Sequence, residues 1–493
     1  MSEIQNTSYA GAYFGRRRIF LTEEDVNTEN VVEIVNTLLV VHSGNMLEEE
    51  YLYWYRRGLQ PILGRTKQVR PEINNKVVEN HAAEIVAFKN GYFLTKPAFY
   101  IARRDTEDVN DKVKMLNELL YLSGKQNADN EITDWFHTVG IGALYVEPYE
   151  DPECPVRAYA LDPRSSFVAY SRRPGNEPVM GVNMVVSGRT ENTTELVFDV
   201  FTKTRYFKLA GGYTGTIVTG APIQGTALRV MEERDNVLGE IPIVEYQYEN
   251  SRMSAFEAVM PLLDGINNIE SNRMDGIEQF IQSLMIFYNC QLGEDENGNQ
   301  ITPQYIRQAG AIFLRSNGQD KADLKILSEQ LDQSQTQVLI DYMYQQTMAI
   351  AGVPTANNTA SSTSDNVGAV YLRSGWATAD TLARNTEDLF KVSNRRFDRL
   401  FIKILRMQGI VDISLSEFDL QFTRNEMDNL LVKTQGALNL KQLGLSPEIA
   451  LGRSGVSNDP VGDVAMSKKY IDRVWGNALP AEQITENRTE IVE

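Results

Sequence analysis

Three long stretches of helical period fill most of residues 254–408, and they limit what this chain can fold into. The first opens on Ser254 and Glu257, the S-x-x-E spacing of a capping box. It continues through Val259, Leu263, Ile266, Glu270, Arg273, Ile277, Ile281, Leu284 and Tyr288 at steps of three and four. That spacing predicts one helix of about 35 residues, roughly 50 Å long. The second, Asp332 to Ala351, is rich in glutamine (Gln333, Gln335, Gln337, Gln345, Gln346) and stops at Gly352 and Pro354. The third, Val367 to about Gln408, would be roughly 40 residues and 60 Å. Its apolar set is Val370, Tyr371, Trp376, Leu382, Leu389, Phe390, Val392, Phe397, Leu400, Phe401 and Ile404. The first helix is polar in its middle, with Asn267, Asn268, Glu270, Ser271, Asn272, Arg273 and Asp275. Such a helix is expected to be exposed, or to pack against few neighbours of its own chain.

Short segments separate these helices. Residues 289–329 carry an Asn-Gly hairpin signal in "QLGEDENGNQI", a helix "TPQYIRQAG" with Thr302 and Pro303 at its start, and strands "AIFLRS" and "ADLKILSE". They predict a small αβ tip on a two-helix stalk. "PTANNTASSTSDNVG" (354–368) joins the second helix to the third; ten of its first thirteen residues are Ser, Thr, Asn or Asp. On composition alone it is a flexible linker.

Upstream, residues 22–60, 75–91, 108–122 and 127–139 have helical spacing. From Gly140 the texture turns to short β-branched and aromatic runs: "GALYVEPY", "RAYALD", "SFVAYSRR", "VMGVNMVVSG", "ELVFDVFTKTRYFKLAG" and "IPIVEYQYE". "GGYTGTIVTGAPIQG" lacks G-x-G-x-x-G spacing and a following helix, so it predicts a hairpin loop rather than a phosphate cradle. After the long helix come a strand, "EFDLQFTRN", and a helical tail from Glu426 with breaks at "LGLSPE" and "RSGVSNDPVGD". The fold class is α+β, with no internal repeat.

Chemistry is sparse. No Walker-type G-x-x-x-x-G-K-[ST], H-E-x-x-H or G-x-S-x-G motif is present. The histidines His42, His81 and His137 have no ligand spacing, and Cys154 and Cys290 have no metal or disulfide pattern. We expect no catalytic, cofactor or metal site. No apolar run nears the roughly 18–20 residues of a membrane span, and the first twenty residues lack a secretory signal pattern. A net charge of −18 on 493 residues argues against gripping nucleic acid with the whole surface. The third helix runs against that sign. Arg384, Lys391, Arg395, Arg399, Lys403 and Arg406 share one stripe of it. Two stalk helices with a tip between them need partners along their sides, and head-to-tail rings of identical subunits supply them.

In this order the parts resemble the portal proteins of tailed bacteriophages, in the family of siphophages of Gram-positive hosts. The resemblance rests on "EIVAFKNGYFLTKPAFY" (84–100), "ALDPRSSFVAY" (160–170), "FDVFTKTRYFKL" (198–209), "LGEIPIVEYQYENSRMSAFEAVMPLLDGINNIESNRMDGIEQF" (238–280) and "FTRNEMDNLLVKTQGALNLKQLGLSPEIAL" (422–451). It implies a portal fold: a mixed α/β wing (1–252), a stem helix (253–288), a clip (289–329), a second stem helix (330–352), a tunnel loop (353–366), a long wing helix with a returning strand (367–425) and a helical crown (426–493). It also implies a ring of roughly twelve subunits at one capsid vertex. Double-stranded DNA would pass through that ring in packaging and ejection. The implied partners are terminase, major capsid and scaffolding proteins and a head–tail connector, with no membrane. The implied location is the virion, with assembly in the host cytoplasm.

On that resemblance the tunnel-loop residues are Thr355, Asn357, Asn358, Thr359, Ser361, Ser362, Thr363, Ser364, Asp365 and Asn366, small and hydrogen-bonding with almost no charge. Glu270, Asp275, Glu278, Arg384, Lys391, Arg395, Arg399 and Lys403 are candidate channel or intersubunit charges. Two readings stand for each set: the acids face DNA or lie on the stem's outer side, and the bases face DNA or a neighbour's acids. Tyr305, Arg307 and Gln308 are candidate clip contacts to partners, while Tyr305, Ile306, Phe313 and Leu314 also suit the tip's own core. The competing classes are a cytosolic helical scaffold and a phage-encoded enzyme.

Overall fold

The computed structural model describes residues 15–22, 26–68, 70–103, 106–151, 153–189, 194–213, 228–281, 284–288, 290–292, 314–316, 323–327, 333–355, 375–422, 430–454, 456–457, 463–464 and 466–467. They belong to two compact units, Met1–Asn90 with Leu119–Asp412, and Gly91–Glu118 with Ile413–Glu493. Helix and sheet are mixed, as an α+β chain requires.

The chain runs through β1 (Ile19–Leu21), α1 (Val31–Arg56), α2 (His81–Phe93), β2 (Phe99–Ala102), α3 (Glu107–Leu122) and α4 (Lys125–Val139). The strand-rich stretch then forms β3 (Ile141–Asp151), β4 (Cys154–Leu161), β5 (Ser166–Ser171), β6 (Pro178–Arg189), β7 (Thr194–Thr202), β8 (Arg205–Tyr213), β9 (Arg229–Asp235) and β10 (Ile243–Gln247). Six strands make one sheet in the order β1-β5-β6-β7-β8-β9, with β1 parallel to β5 and the other pairs antiparallel. Its inner face carries Phe167, Val182, Phe198, Val200, Phe207 and Leu209, which pack with Val31, Val35, Leu38 and Leu39 of α1 in one core. A second sheet, β10-β3-β4, packs against α4. The glycine-rich stretch lies between β8 and β9, which pair antiparallel as a hairpin would; residues 214–225 of it lie outside the described residues.

Beyond β10 the chain forms α5 (Met260–Ile281), β11 (Leu284–Tyr288), β12 (Cys290–Leu292), β13 (Leu314–Ser316), β14 (Asp323–Leu327), α6 (Gln333–Ala351) and α7 (Trp376–Met407). β15 (Phe418–Gln421), α8 (Leu430–Gln442) and α9 (Pro447–Ser454) follow. In the second unit β15 pairs antiparallel with β2, Tyr100 meets Phe418 edge-on at 4.9 Å, and Asn117 of α3 bonds both the N–H and the C=O of Tyr100.

Three helix boundaries differ from the sequence expectation. The first long helix does not reach Tyr288. It ends at Ile281, and Leu284–Tyr288 is a strand paired with Asp323–Leu327. A run of five apolar residues suits strand and helix alike, and here the partner strand decides. The helix expected from Asn75 starts at His81, because residues 73–80 form neither helix nor strand; Asn80 caps it, its side chain accepting from the Ala83 N–H. The third long helix starts at Trp376, after Gly375 in the left-handed region (φ +82°), and has 32 residues instead of about 40. Residues 367–374 lie outside the described residues. The second long helix is present as expected and closes on Gly352, with the Val353 N–H donating to Met348 C=O and the Gly352 N–H to Ala349 C=O, a Schellman end.

Candidate functional site

One face of the polar middle of α5 is buried, against the expectation that this stretch would be exposed or poorly packed, while Asn268 and Asn272 on it are exposed. Asn267, Ser271 and Asp275 are 0%, 0% and 3% exposed. They lie four residues apart and face segment 73–80. The Glu79 N–H donates to Asn267 Oδ1 (2.8 Å), the Val77 N–H to Ser271 Oγ (2.9 Å) and the Asn75 N–H to Asp275 Oδ1 (2.7 Å). The two spacings match: four helical residues rise about 6 Å, and two extended residues about 6.6 Å. A polar stripe on a helix thus takes the place of a neighbouring β-strand, and three backbone donors are satisfied without a sheet. Gln60 accepts from Asn267, and Arg65 and Lys67 pair with Asp275.

Ser271→Ala is expected to cost about 1 kcal/mol in chemical denaturation, because it takes the acceptor from the half-buried Val77 N–H. A change under a few tenths would show that the stripe is not a ladder of needed bonds.

The capping box is only half formed. Glu257 Oε2 accepts from the Ser254 N–H at 2.9 Å, while Ser254 Oγ has no hydrogen-bond partner among the described residues.

The candidate acids have different surroundings. Asp275 is paired inside its own chain with Arg65 and Lys67. Glu278 is half-buried and accepts from Asn75. Glu270 is half-buried beside Arg273 (3.4 Å), and Arg273 also donates to Gln337 of α6 (2.7 Å).

α5 and α6 run antiparallel and pack closely. A Cβ on Gly265 would stand 2.6 Å from Met343 Cε. α6 buries Ile340, Thr347, Met348 and Ala351 on one side. Its other side exposes Val338, Leu339, Tyr342 and Ile350, with Val338 68% exposed. A helix apolar on both sides needs cover on both.

α7 buries Phe390, Phe397, Leu400, Phe401, Ile404 and Leu405 and packs on β10. Of its candidate bases, Arg384 is exposed and pairs with Asp380 at 2.9 Å. Arg395 and Arg399 are exposed and have no ion pair among the described residues. Lys391 and Lys403 are half-buried. Within the first unit the buried side of α7 also meets a cation that sequence reasoning missed. Lys125, 1% exposed, pairs with Asp129, and its Nζ lies 4.7 Å from the centre of the Phe397 ring and 5.4 Å from that of Phe390. Burial raises the Asp129 carboxyl against the pull of Lys125. The i,i+4 Lys-Asp spacing was visible in sequence, but it reads equally as a surface pair.

Thr355 is half-buried at the end of the described segment; the other tunnel-loop candidates, Asn357 to Asn366, and the clip candidates Tyr305, Arg307 and Gln308 lie outside the described residues. His42 and His137 are buried, and His81 lies between Glu79 and Glu84. Among the described residues no cluster of His, Cys, Asp and Glu has a metal-holding arrangement, and no helix is long and apolar enough to cross a membrane.

The described residues thus comprise an α+β body, two antiparallel helices with small strand pairs between them, and the long helix α7. The family profile described as "Phage portal protein, SPP1 Gp6-like" matches residues 46–473, and the chain belongs to that family of phage portal proteins. No curated protein matches the sequence. Among solved structures, a chain described as "Neck of empty GTA particle computed with C6 symmetry" is similar at 13% identity and a TM-score of 0.40, over 76% of this chain and 89% of that one.

Proposed function

We propose that this chain is the subunit of a portal ring, in which copies surround a channel at one capsid vertex and double-stranded DNA passes through in packaging and ejection. The family match over residues 46–473 carries the reading. The exposed apolar side of α6 supports it, since a neighbouring subunit would cover Val338, Leu339, Tyr342 and Ile350. In this reading residues 1–252 are the wing, α5 and α6 the stem, the segment between them the clip, residues 353–366 the tunnel loop, and residues 426–493 the crown. The clip would meet terminase and later the head–tail connector, with Tyr305, Arg307 and Gln308 at the contact. Capsid and scaffolding proteins would hold the ring in the virion after assembly in the host cytoplasm. The ring itself would perform no catalysis; a separate terminase would supply the energy.

Asp275 drops out of the channel set, being paired with Arg65 and Lys67. Glu270 and Glu278 remain there. Arg384, Lys391, Arg395, Arg399 and Lys403 serve as the charged stripe of α7 toward DNA or a neighbour's acids. Small uncharged loop side chains suit a collar that touches moving DNA without holding it, since each neutralised phosphate would slow passage.

Electron microscopy of the purified chain should show rings of roughly twelve subunits with a central hole. A particle that stays monomeric at high concentration overturns the reading and leaves a helical scaffold in its place. Rings of an Asn357→Lys variant should assemble normally and package DNA poorly. Normal packaging by that variant would remove the loop from the channel.

A further inference from the structure

A knot of buried charge lies where residues 15–18, α1, β10 and the turn before α5 meet. At its centre Glu49 of α1 is 0% exposed, and neither carboxylate oxygen has a hydrogen-bond partner among the described residues. Around it stand Arg16, Asp162 of the β4–β5 connection, Glu245 of β10 and Arg252 of the turn. Glu48 and His42 flank it on α1, Glu257 lies beyond Arg16, and Tyr170 of β5 donates to Glu245.

Both guanidiniums are engaged elsewhere. Arg16 bonds Glu257 (2.8 Å) and the Val139 C=O (3.2 Å) and lies 3.3 Å from Glu48, while Arg252 bonds both oxygens of Glu245 (2.5 and 3.0 Å). The Nε of each makes no hydrogen bond among the described residues. The backbone here is tied and strained. Arg252 has φ +61°, and its C=O accepts from the Arg16 N–H at 3.0 Å.

A carboxylate buried without a donor is far costlier ionised than neutral. We propose that Glu49 is a proton-operated switch on the anchor of α5. Neutral, it leaves Arg16 on Glu257 and Arg252 on Glu245. Ionised, it competes for both guanidiniums and loosens residues 15–18 from the start of α5.

Burial pushes the Glu49 carboxyl up to about 8; Arg16 and Arg252 oppose that shift, and Asp162 and Glu245 add to it. His42 works in the opposite sense, adding stability as pH rises from about 4 to about 6.5. Burial lowers it to about 4, and its Nε2 lies 3.1 Å from the Arg164 C=O, which makes Nε2 the protonated nitrogen. Glu49 therefore holds a proton in the fold that the unfolded chain has lost. The Glu49 contribution to stability falls as pH rises from about 4.5 to about 8 and levels off above, and comparison with a Glu49 variant separates it from that of His42.

The experiment uses the full chain and its Glu49→Gln variant. Urea unfolding from pH 5.5 to 9 should show the wild-type unfolding constant rising relative to the variant's, by up to about tenfold per pH unit inside the window. Trypsin cleavage after Arg16, Arg17 or Arg18, normalised to a reference peptide, should speed up between pH 6.5 and 9 in the wild type and not in the variant. Parallel profiles for the two proteins overturn the proposal. If Glu49→Gln does not fold, the wild type decides alone, and normalised arm cleavage that is flat between pH 6.5 and 9 overturns it.

Discussion

Replacing Gly140 by alanine is expected to cost about 2–5 kcal/mol of stability. Gly140 ends α4 with φ +94°, its N–H on Phe136 C=O and its C=O accepting from the Tyr248 N–H. An added Cβ would stand 2.1 Å from the Arg252 oxygen, 2.8 Å from the Arg252 carbonyl carbon and 3.0 Å from the Met253 carbonyl carbon. All three are backbone atoms, so no rotamer change relieves the contact. The left-handed conformation costs a non-glycine residue about 1–2 kcal/mol. Forcing extra volume into a packed site adds about 1–3. Together they take a large part of the roughly 5–15 kcal/mol that holds a typical domain folded. Gly409→Ala is the control. Its φ is also positive, +72°, but no atom lies within 4 Å of the added Cβ, so only the conformational cost applies. Soluble yield and urea midpoints would compare the two, and equal losses would show that the close approach to residues 252–253 does not matter.

Lys125→Ala is the second large expected loss, about 3–5 kcal/mol. It strands Asp129, which is buried against Lys125 and has little access to water. It also removes the cation from the faces of Phe390, Phe397 and Tyr246, and so weakens the seat of α7. The loss should shrink as pH falls, because Asp129 can then take a proton instead of a partner. Replacing both residues, Lys125→Met with Asp129→Leu, should recover most of the stability, since a buried ion pair rarely outperforms apolar packing. A single-variant cost below 1 kcal/mol in denaturant titrations would contradict this account.

Much of the fold is legible in local spacing. The apolar residues of α1, α3, α4 and α7 repeat at three and four, and β3 to β8 fall where β-branched and aromatic runs lie between turn residues. The ends are less legible. Leu284–Tyr288 continues the spacing of α5 and is still a strand, because Asp323–Leu327 lies alongside it. Residues 75–80 carry helical spacing and form neither helix nor strand, because their N–H groups meet acceptors on a helix nearly two hundred residues further on. Lys125, Glu49, Arg16 and Arg252 look like ordinary surface charges in sequence, since nothing in a segment tells how much of it will be covered.

By itself, then, the sequence determined the α+β class, the sites of the long helices and most strands, the glycine stop after α6 and membership of the portal family. Those are properties of a single segment, or of segments in order. Tertiary structure alone decided where α5 ends, that its polar stripe is an interior surface, and which charges are buried at the root of α5. Each of these depends on backbone donors and acceptors brought from elsewhere in the chain. A polar group's free energy turns on whether such a partner replaces the water it loses.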